Sequence, residues 1–295
     1  MKVAFLGLGD IGVLMASDLV RDPFELVVWN RTATKAQDFA REHKARVAET
    51  PAAAVKGAEV VITCLPSSIE VEALLHGDNG MLGSLEKGAV LVDCTSGDPP
   101  TSRSIAAELR ARGVGFIDAP VSGGVTAAKA GTLTVMWGGE VPVFERVRAV
   151  IEGFGKKIVH AGPVGSGDAL KAVNNALLAV HILSVAEGLA VLVKAGVDPK
   201  VALEVINASS GRSNTSENLI PQRVLTRAFP RTFRLALLEK DIGIAAVMSE
   251  DLGARTPLIS LTAERFREAR EKLGEKADHV EAVRMVEEEN SIEIR

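Results

Sequence analysis

The first 160 residues alternate short apolar runs with helical stretches, and this alternation constrains the fold more than any other feature of the chain. Strand-like runs lie at residues 3–6, 25–29, 60–65, 90–94, 115–118 and 133–137. Nearly all of their residues are apolar, which is typical of strands that are covered on both faces by helices. We therefore predict an α/β domain with a doubly wound, parallel sheet of the Rossmann type.

The pattern changes after residue 160. A run of glycine, proline and serine at residues 162–167 leads into a helical stretch at about 168–195 that is apolar around most of its circumference. The remaining periodic stretches are also helical, so we predict a sheet domain at 1–161 and an all-helical domain at 162–295, joined through the long helix. A helix that is apolar nearly all round needs cover on several sides, so we expect a homodimer or a homotetramer.

A glycine-rich turn follows the first strand and opens the first helix; its sequence is Gly7-Leu8-Gly9-Asp10-Ile11-Gly12. Gly7 permits the tight turn, Gly9 lets the backbone approach a pyrophosphate, and Gly12 lets the helix pack closely on the strand. Three spaced glycines alone are a weak signal, but their place between a strand and a helix is the context of a dinucleotide site. We predict that all six residues contact the nucleotide.

The end of the second strand indicates which dinucleotide is bound. Enzymes that use NAD usually carry an acid there, which binds the ribose 2′-hydroxyl. This chain has Asn30-Arg31-Thr32 instead, so that Arg31 can pair with a 2′-phosphate while Asn30 and Thr32 add neutral donors. The alternative is that Arg31 is a solvated loop cation. The missing acid favours NADP, with NAD still possible.

Composition excludes several function classes. The net charge of -4, with both signs interspersed, provides no basic surface for a nucleic acid. The chain has no tyrosine, which excludes a tyrosine general acid, and its five histidines and two cysteines lack the spacing of metal ligands. No signal peptide is recognisable, and no apolar run is free of polar interruption over a membrane's width. We expect a cytoplasmic protein with no metal and no membrane partner.

Three further stretches are hard to explain as scaffold. Residues 118–124 form a strand end that breaks into a loop of small residues, whose backbone N–H groups and hydroxyl suit a carboxylate. Lys171 and Asn175 are four residues apart and so share one face of the long, apolar helix. A lysine there is costly unless it pairs, reaches solvent or has a function. The third stretch is the pair Lys240-Asp241, where Asp241 is expected to pair or orient rather than to catalyse.

These stretches carry a resemblance that extends over nearly the whole chain. In order and spacing the chain resembles the β-hydroxyacid dehydrogenase family at Gly7–Gly12, Cys64-Leu65-Pro66, Asp118–Gly124, Gly131–Gly139, Gly165–Asn175, Ser209–Arg212 and Lys240-Asp241. It departs from the usual pattern at Ile11, where methionine is common, and this change conserves apolar volume.

The resemblance implies a role for each of these groups. Lys171 would be the general acid/base that takes the proton of the substrate hydroxyl, and Asn175 would hold the substrate oxygen and the lysine in register. Lys240 would reach both the nicotinamide and the substrate. The substrate carboxylate would be held by Ser122, Gly123 and Gly124, and the nucleotide would be lined by Cys64, Leu65, Pro66 and Thr95.

The implied activity is the NADP-dependent oxidation of a small 3-hydroxy acid. The first candidate is the conversion of 3-hydroxyisobutyrate to methylmalonate semialdehyde in valine degradation. Other reactions of the family remain open, namely L-serine oxidation and the reduction of glyoxylate or succinic semialdehyde. A catalytically silent NADP-binding module is a further alternative, but the retention of Lys171 and Asn175 argues against it.

Overall fold

The computed structural model describes residues 1–295, which divide into two compact units, Met1–Lys171 and Ala172–Arg295. The strands are β1 Lys2–Leu6, β2 Glu25–Trp29, β3 Arg46–Val47, β4 Val60–Thr63, β5 Val90–Asp93, β6 Gly115–Asp118, β7 Val121–Ser122, β8 Leu133–Gly138 and β9 Gly155–Gly162. The helices are α1 Gly12–Asp18, α2 Ala33–Glu42, α3 Pro51–Val55, α4 Ser68–His76, α5 Pro99–Ala111, α6 Gly124–Lys129, α7 Val141–Ile151, α8 Ser166–Lys194, α9 Pro199–Asn207, α10 Leu235–Asp251, α11 Pro257–Leu273 and α12 Val283–Asn290. The domain boundary at 161 stays a prediction.

A nine-stranded sheet forms the first unit, in the order β3-β2-β1-β4-β5-β6-β8-β7, with β9 beside β8. The strands from β3 to β6 pair in parallel, as the α/β prediction requires. Strand order reverses between β1 and β4, and in sheets of this kind ligands bind beyond the carboxyl ends of the strands at such a point. The loops that begin at Gly7 and Cys64 therefore lie where a dinucleotide is expected.

Strand direction departs from the prediction at one place. β8 runs antiparallel to both β6 and β7, so the sheet is mostly and not wholly parallel. Residues 123–132 connect β7 to β8 and contain only the six-residue helix α6. That connection is short for the crossover that a parallel pair needs.

Alternate residues of the central strands pack into two separate cores. In β1, Val3 and Phe5 belong to the core on one face of the sheet, and Ala4 and Leu6 belong to the core on the other. All four side chains have no exposed surface. This is the physical reason why the strand is apolar at every position.

The second unit is helical around one core, to which the buried face of α8 contributes alanines and Ile182. A π-helix at Thr215–Val224 contains Pro221, which has no N–H to donate to a regular helical ladder. The predicted pattern of a sheet domain followed by helices is confirmed.

α8 has 29 residues and spans roughly 40 Å. By length and composition alone it is one helix that could cross a membrane, and a third of its most apolar window is buried inside the protein. Core helices of soluble proteins meet the same criterion of length and composition.

Candidate functional site

The glycine loop after β1 is built so that two of its glycines are required by their neighbours. Gly7 has φ +108°, and a Cβ there would lie 2.3 Å from the Cys64 carbonyl oxygen. A Cβ on Gly12 would lie 2.1 Å from the Gly7 oxygen. Gly9 is different, because it is exposed and no atom lies within 4 Å of an added Cβ. The open space above Gly9 is what a nucleotide pyrophosphate needs, so the loop fits a dinucleotide.

The loops after β4 and β5 are tied together by a buried carboxylate. Asp93 Oδ1 accepts hydrogen bonds from the Thr63 hydroxyl (2.8 Å) and from the Thr95 N–H (3.0 Å). The Thr95 hydroxyl in turn accepts the Leu65 N–H at 3.1 Å. Two of the predicted cofactor residues, Leu65 and Thr95, are therefore connected directly, and the motifs in the sequence did not identify Asp93 as the residue behind them.

Burial of this network determines the pKa values of its two ionisable groups, Asp93 and Cys64. Burial raises the pKa of Asp93 to about 6, against hydrogen bonds from Thr95 and Thr63 that lower it. Burial, together with the Asp93 charge, raises the pKa of the Cys64 thiol to about 12. Cys64 is therefore a neutral thiol beneath the glycine loop, suited to packing and not to nucleophilic chemistry.

In the turn after β2, the Asn30 side chain connects the glycine loop to the backbone of the turn. Its side-chain oxygen accepts the Leu8 N–H at 2.9 Å, and its amide nitrogen donates to the Thr32 carbonyl at 3.0 Å. These bonds occupy the side-chain oxygen and one N–H of the group that we expected to be a neutral donor to the nucleotide. Arg31 and Thr32 are exposed at the surface beside the loop, where Asp10 is exposed as well.

Residues 118–124 form an ordered turn at the carboxyl end of β6. Ser122 pairs with Thr134 in the β7–β8 ladder. Gly123 and Gly124 are exposed and have φ values of +127° and +64°, which an L side chain rarely adopts. The three residues predicted to hold the substrate carboxylate are consecutive and lead directly into α6.

Lys171 and Asn175 are buried on α8, at 9% and 3% exposure. Their spacing of one helical turn places them on the same face of this helix. The Asn175 amide donates to Asp241 Oδ2 at 2.5 Å, and the Lys240 Nζ forms an ion pair with Asp241 Oδ1 at 2.7 Å. Asp241 thus joins two of the predicted site residues, in agreement with the expectation that it pairs or orients.

The structure brings most of the predicted residues into three groups, two in the first unit and one in the second, and Lys171 is the last residue of the first unit. In the first unit these are the glycine loop, the 30–32 turn, the 64–66 loop and Thr95, and separately the 122–124 turn. In the second unit they are Asn175, Lys240 and Asp241. The buried polar groups Thr63, Asp93 and Ser102 were not predicted. An acid that ends an apolar run, as Asp93 does, was the available signal.

Comparison with known proteins gives the same assignment for both halves of the chain. Residues 2–162 match the model of the NAD-binding domain of 6-phosphogluconate dehydrogenase. Residues 165–286 match the model described as the NAD-binding domain of NADP-dependent 3-hydroxyisobutyrate dehydrogenase. The two matches cover most of the chain.

Individual relatives are similar over most of their length. A 3-hydroxyisobutyrate dehydrogenase of Pseudomonas aeruginosa is 38% identical over 270 residues, covering 90% of both chains. An NAD-dependent L-serine dehydrogenase of the same organism is 36% identical, covering 90% of this chain and 91% of the relative. Among solved structures, a Mycobacterium tuberculosis 3-hydroxyisobutyrate dehydrogenase with L-serine has a TM-score of 0.88 at 29% identity, covering 97% of this chain and 98% of the other. The chain therefore belongs to the β-hydroxyacid dehydrogenase family and is an NAD(P)-dependent hydroxy acid dehydrogenase.

Proposed function

We propose that this enzyme oxidises a small 3-hydroxy acid with NADP, and that 3-hydroxyisobutyrate is its substrate, giving methylmalonate semialdehyde in valine degradation. The observation that carries the proposal is the buried lysine on α8, Lys171, one helical turn from an asparagine whose amide is locked by Asp241. A lysine amine at this position can exchange a proton with a bound substrate, and proton transfer is the function that we assign to it. The enzyme would act in the cytoplasm on a small molecule.

The nucleotide would be held by the glycine loop, by the 64–66 loop with Thr95, and by Arg31. The bound cofactor supplies the hydride acceptor. Arg31 is exposed beside the loop and has a guanidinium that suits a 2′-phosphate, whereas the usual acid of an NAD enzyme is replaced by Asn30. NADP is therefore the proposed preference over NAD.

The protein's own groups have distinct tasks in the proposed reaction. Lys171 Nζ, as the neutral amine, accepts the proton of the substrate hydroxyl and becomes the ammonium, and Asn175 holds that oxygen in place. Ser122 and the backbone N–H groups of the exposed residues Gly123 and Gly124 bind the carboxylate, and Lys240 contributes positive charge to both ligands. Their combined effect is to fix the orientation of the reacting carbon, which is where most of the protein's contribution to such a reaction lies.

L-Serine is the second candidate substrate. It shares the 3-hydroxy acid unit with 3-hydroxyisobutyrate and differs in an ammonium group in place of a methyl. The 36% identical serine dehydrogenase and the structural neighbour with L-serine favour this candidate. The two candidates make opposite predictions about the ratio of kcat/KM for the two acids.

A panel assay tests the proposal. Oxidation of 3-hydroxyisobutyrate, L-serine and 3-hydroxypropionate is measured with NADP and with NAD, and reduction of glyoxylate is measured with NADPH and with NADH. We expect the highest kcat/KM for 3-hydroxyisobutyrate with NADP. A higher value for L-serine selects the second candidate, and a preference for NAD contradicts the assignment of Arg31.

Replacing the lysine tests the assigned chemistry. Lys171→Ala should lower kcat by at least roughly a thousandfold, because it removes the proton acceptor, while the Kd for NADP measured by fluorescence stays unchanged. Lys194→Ala removes an exposed lysine from the last turn of the same helix and is the matched control. Retained turnover in Lys171→Ala would exclude the lysine as the proton carrier.

A further inference from the structure

A single buried carboxylate accepts hydrogen bonds from the backbone at the start of α8, the helix that carries Lys171. Asp118, at the end of β6, is fully buried. Its Oδ1 accepts the Gly165 N–H at 2.8 Å, and its Oδ2 accepts the Asp168 N–H at 3.1 Å. The first turn of a helix has backbone N–H groups without helical partners, and here an acid from another element satisfies two N–H groups at and just before that turn.

Two glycines leave the space that this carboxylate occupies. A Cβ on Gly138 would lie 2.6 Å from Asp118 Oδ1, and a Cβ on Gly167 would lie 2.8 Å from Oδ2. Both positions therefore require a residue without a side chain if the acid is to stay where it is. This explains the second glycine of the Gly165-x-Gly167 pattern, which the sequence alone leaves as a helix-breaking signal.

A second acid continues the network toward the cofactor loops. Asp168 lies in the first turn of α8, three residues before Lys171, and is 1% exposed. It accepts the Ser102 hydroxyl at 2.6 Å and the Gly97 N–H at 3.3 Å. Gly97 follows Thr95 by two residues, so the start of α8 is held by the same loop that contributes to the predicted nucleotide site.

This arrangement is electrostatically expensive. Burial raises the pKa of Asp118 and that of Asp168, and the Asp118 charge adds to the rise at Asp168. The backbone N–H groups of Gly165 and Asp168 lower the pKa of Asp118 but do not offset its burial. A helix start needs no buried acid for stability alone, since a serine or an exposed aspartate can cap it. The cost therefore points to a requirement for accurate placement of the first turns of α8, and the side chain three residues beyond Asp168 is Lys171.

We propose that Asp118 is a positioning residue, which sets the place of Lys171 relative to the 118–124 turn by joining that turn to the first turn of α8. This proposal rests on the proposed function of Lys171 and of the turn. Asp118 lies at the start of the turn whose Ser122–Gly124 segment is assigned to the substrate carboxylate. One side chain thus links the group that accepts the proton to the group that holds the substrate. A displacement on the order of 1 Å between such groups lowers turnover about a hundredfold.

Asp118→Asn tests the proposal, because the amide has the same shape but presents an N–H₂ group to one of the two backbone donors. We expect kcat to fall between roughly tenfold and a hundredfold, while the KM for NADP changes less than about twofold. Asp278→Asn is the matched control, since Asp278 is equally buried and accepts three backbone N–H groups, those of Thr232, Phe233 and Val280. It should lose stability and keep its kcat per folded molecule. The proposal is overturned if Asp118→Asn also keeps the wild-type kcat per folded molecule.

A milder pair of variants guards against a folding failure. Ser102→Ala removes the donor to Asp168, and Ser102→Thr keeps it. We expect a severalfold lower kcat in the alanine variant and recovery in the threonine variant. Equal kcat values in the two variants would contradict the proposal that this hydrogen-bond network positions Lys171.

Hydrogen exchange provides a readout that does not depend on turnover. Asp118→Asn should speed amide exchange in the peptide 165–175 and leave exchange in the peptide 180–194 unchanged. In Asp278→Asn, exchange in 165–175 should stay at the wild-type rate. If the wild-type enzyme turns over none of the acids in the panel, the proposed function fails, and the exchange result alone decides whether Asp118 holds the start of α8. Unchanged exchange in 165–175 would overturn that placement.

Discussion

At the scale of single residues, the three glycines of the loop after β1 have different physical tasks. Gly7 and Gly12 are required by the protein itself, because an added Cβ on either would overlap backbone oxygens. Gly9 is required by nothing in the protein, since the space around it is open. Its glycine is therefore explained by the ligand.

This difference predicts the effects of two alanine substitutions. Gly9→Ala should change the free energy of unfolding by no more than about 0.5 kcal/mol and raise the Kd for NADP at least roughly tenfold, because the methyl group occupies the approach of the pyrophosphate. Gly12→Ala should destabilise the protein by more than about 2 kcal/mol. Urea unfolding and fluorescence titration measure the two quantities. Unchanged NADP affinity in Gly9→Ala would show that the pyrophosphate lies elsewhere.

Asp93 predicts a pH dependence with a defined sign. Its pKa rises from an ordinary value of 3.8 to about 6 in the folded state, so the folded protein binds the proton more tightly than the unfolded chain. The stability that this provides is complete below about pH 4 and is lost as the pH rises through about 6. A rise of about two units in the pKa of Asp93 corresponds to about 3 kcal/mol in the free energy of unfolding.

Asp93→Asn should remove this dependence, because the amide oxygen can still accept from Thr63 and Thr95. Relative to the wild type, the variant should gain up to about 3 kcal/mol of stability between about pH 4 and pH 7. Urea titration followed by tryptophan fluorescence measures the difference, since both tryptophans, Trp29 and Trp137, lie in the first unit. A difference that is constant with pH would contradict the raised pKa.

At the scale of elements, one acid on α10 controls the side chain of a residue on α8. The bond from Asn175 to Asp241 is charge-assisted and short, and the other carboxylate oxygen pairs with Lys240. Asn175 Oδ1 also accepts from the neighbouring Asn174 amide at 3.2 Å. Both ends of the Asn175 amide are therefore held, which keeps its remaining N–H in one direction.

Asp241→Asn should disturb this orientation without changing the packing. We expect kcat/KM for the hydroxy acid to fall roughly tenfold to a hundredfold, the range that a lost charge-assisted hydrogen bond produces. Asp251→Asn, at the exposed end of the same helix, is the control. The double variant with Asn175→Ala should be no worse than Asn175→Ala alone. Additive losses would show that Asp241 acts independently of Asn175.

At the scale of the whole molecule, the helical unit leaves apolar side chains exposed on several helices. Leu177 and Val191 on α8 are 48% and 68% exposed, and Val247, Leu252, Leu258 and Leu261 on or next to α10 and α11 are exposed as well. Single exposed apolar residues are common, but several on neighbouring helices suit association.

We predict that the protein is a homodimer or homotetramer at micromolar concentration. Light scattering after gel filtration measures the mass. Val191→Lys should shift the population toward monomer, because a charge is costly in an apolar interface, whereas Ile69→Lys, at a similarly exposed position of the first unit, should not. A monomeric wild type would contradict the prediction.

Much of the fold could be predicted because its signals are local. Runs such as Val90–Cys94 are apolar at nearly every position, and a covered strand requires that. β9 was missed because Lys156, Lys157 and His160 give it a polar appearance, and most of its side chains are partly or fully exposed. β3 was missed because two residues carry no periodicity. The direction of β8 depends on the path of residues 123–132, which no pattern within the strand records.

For the candidate site, the sequence by itself determined the residue types and their order. The glycine loop, the Lys171–Asn175 spacing and the absence of an acid at residue 30 could be recognised because each depends on neighbours in the chain. Only the tertiary structure decided which acids hold the site's loops and side chains in place. Asp93 joins the loops after β4 and β5, Asp118 binds the start of α8, and Asp241 binds the Asn175 amide. Apart from the local bond between Thr95 and Asp93, these partners are between 30 and 66 residues apart in sequence. A hydrogen bond depends on distance in space, and a chain pattern contains no information about that distance until the chain has folded.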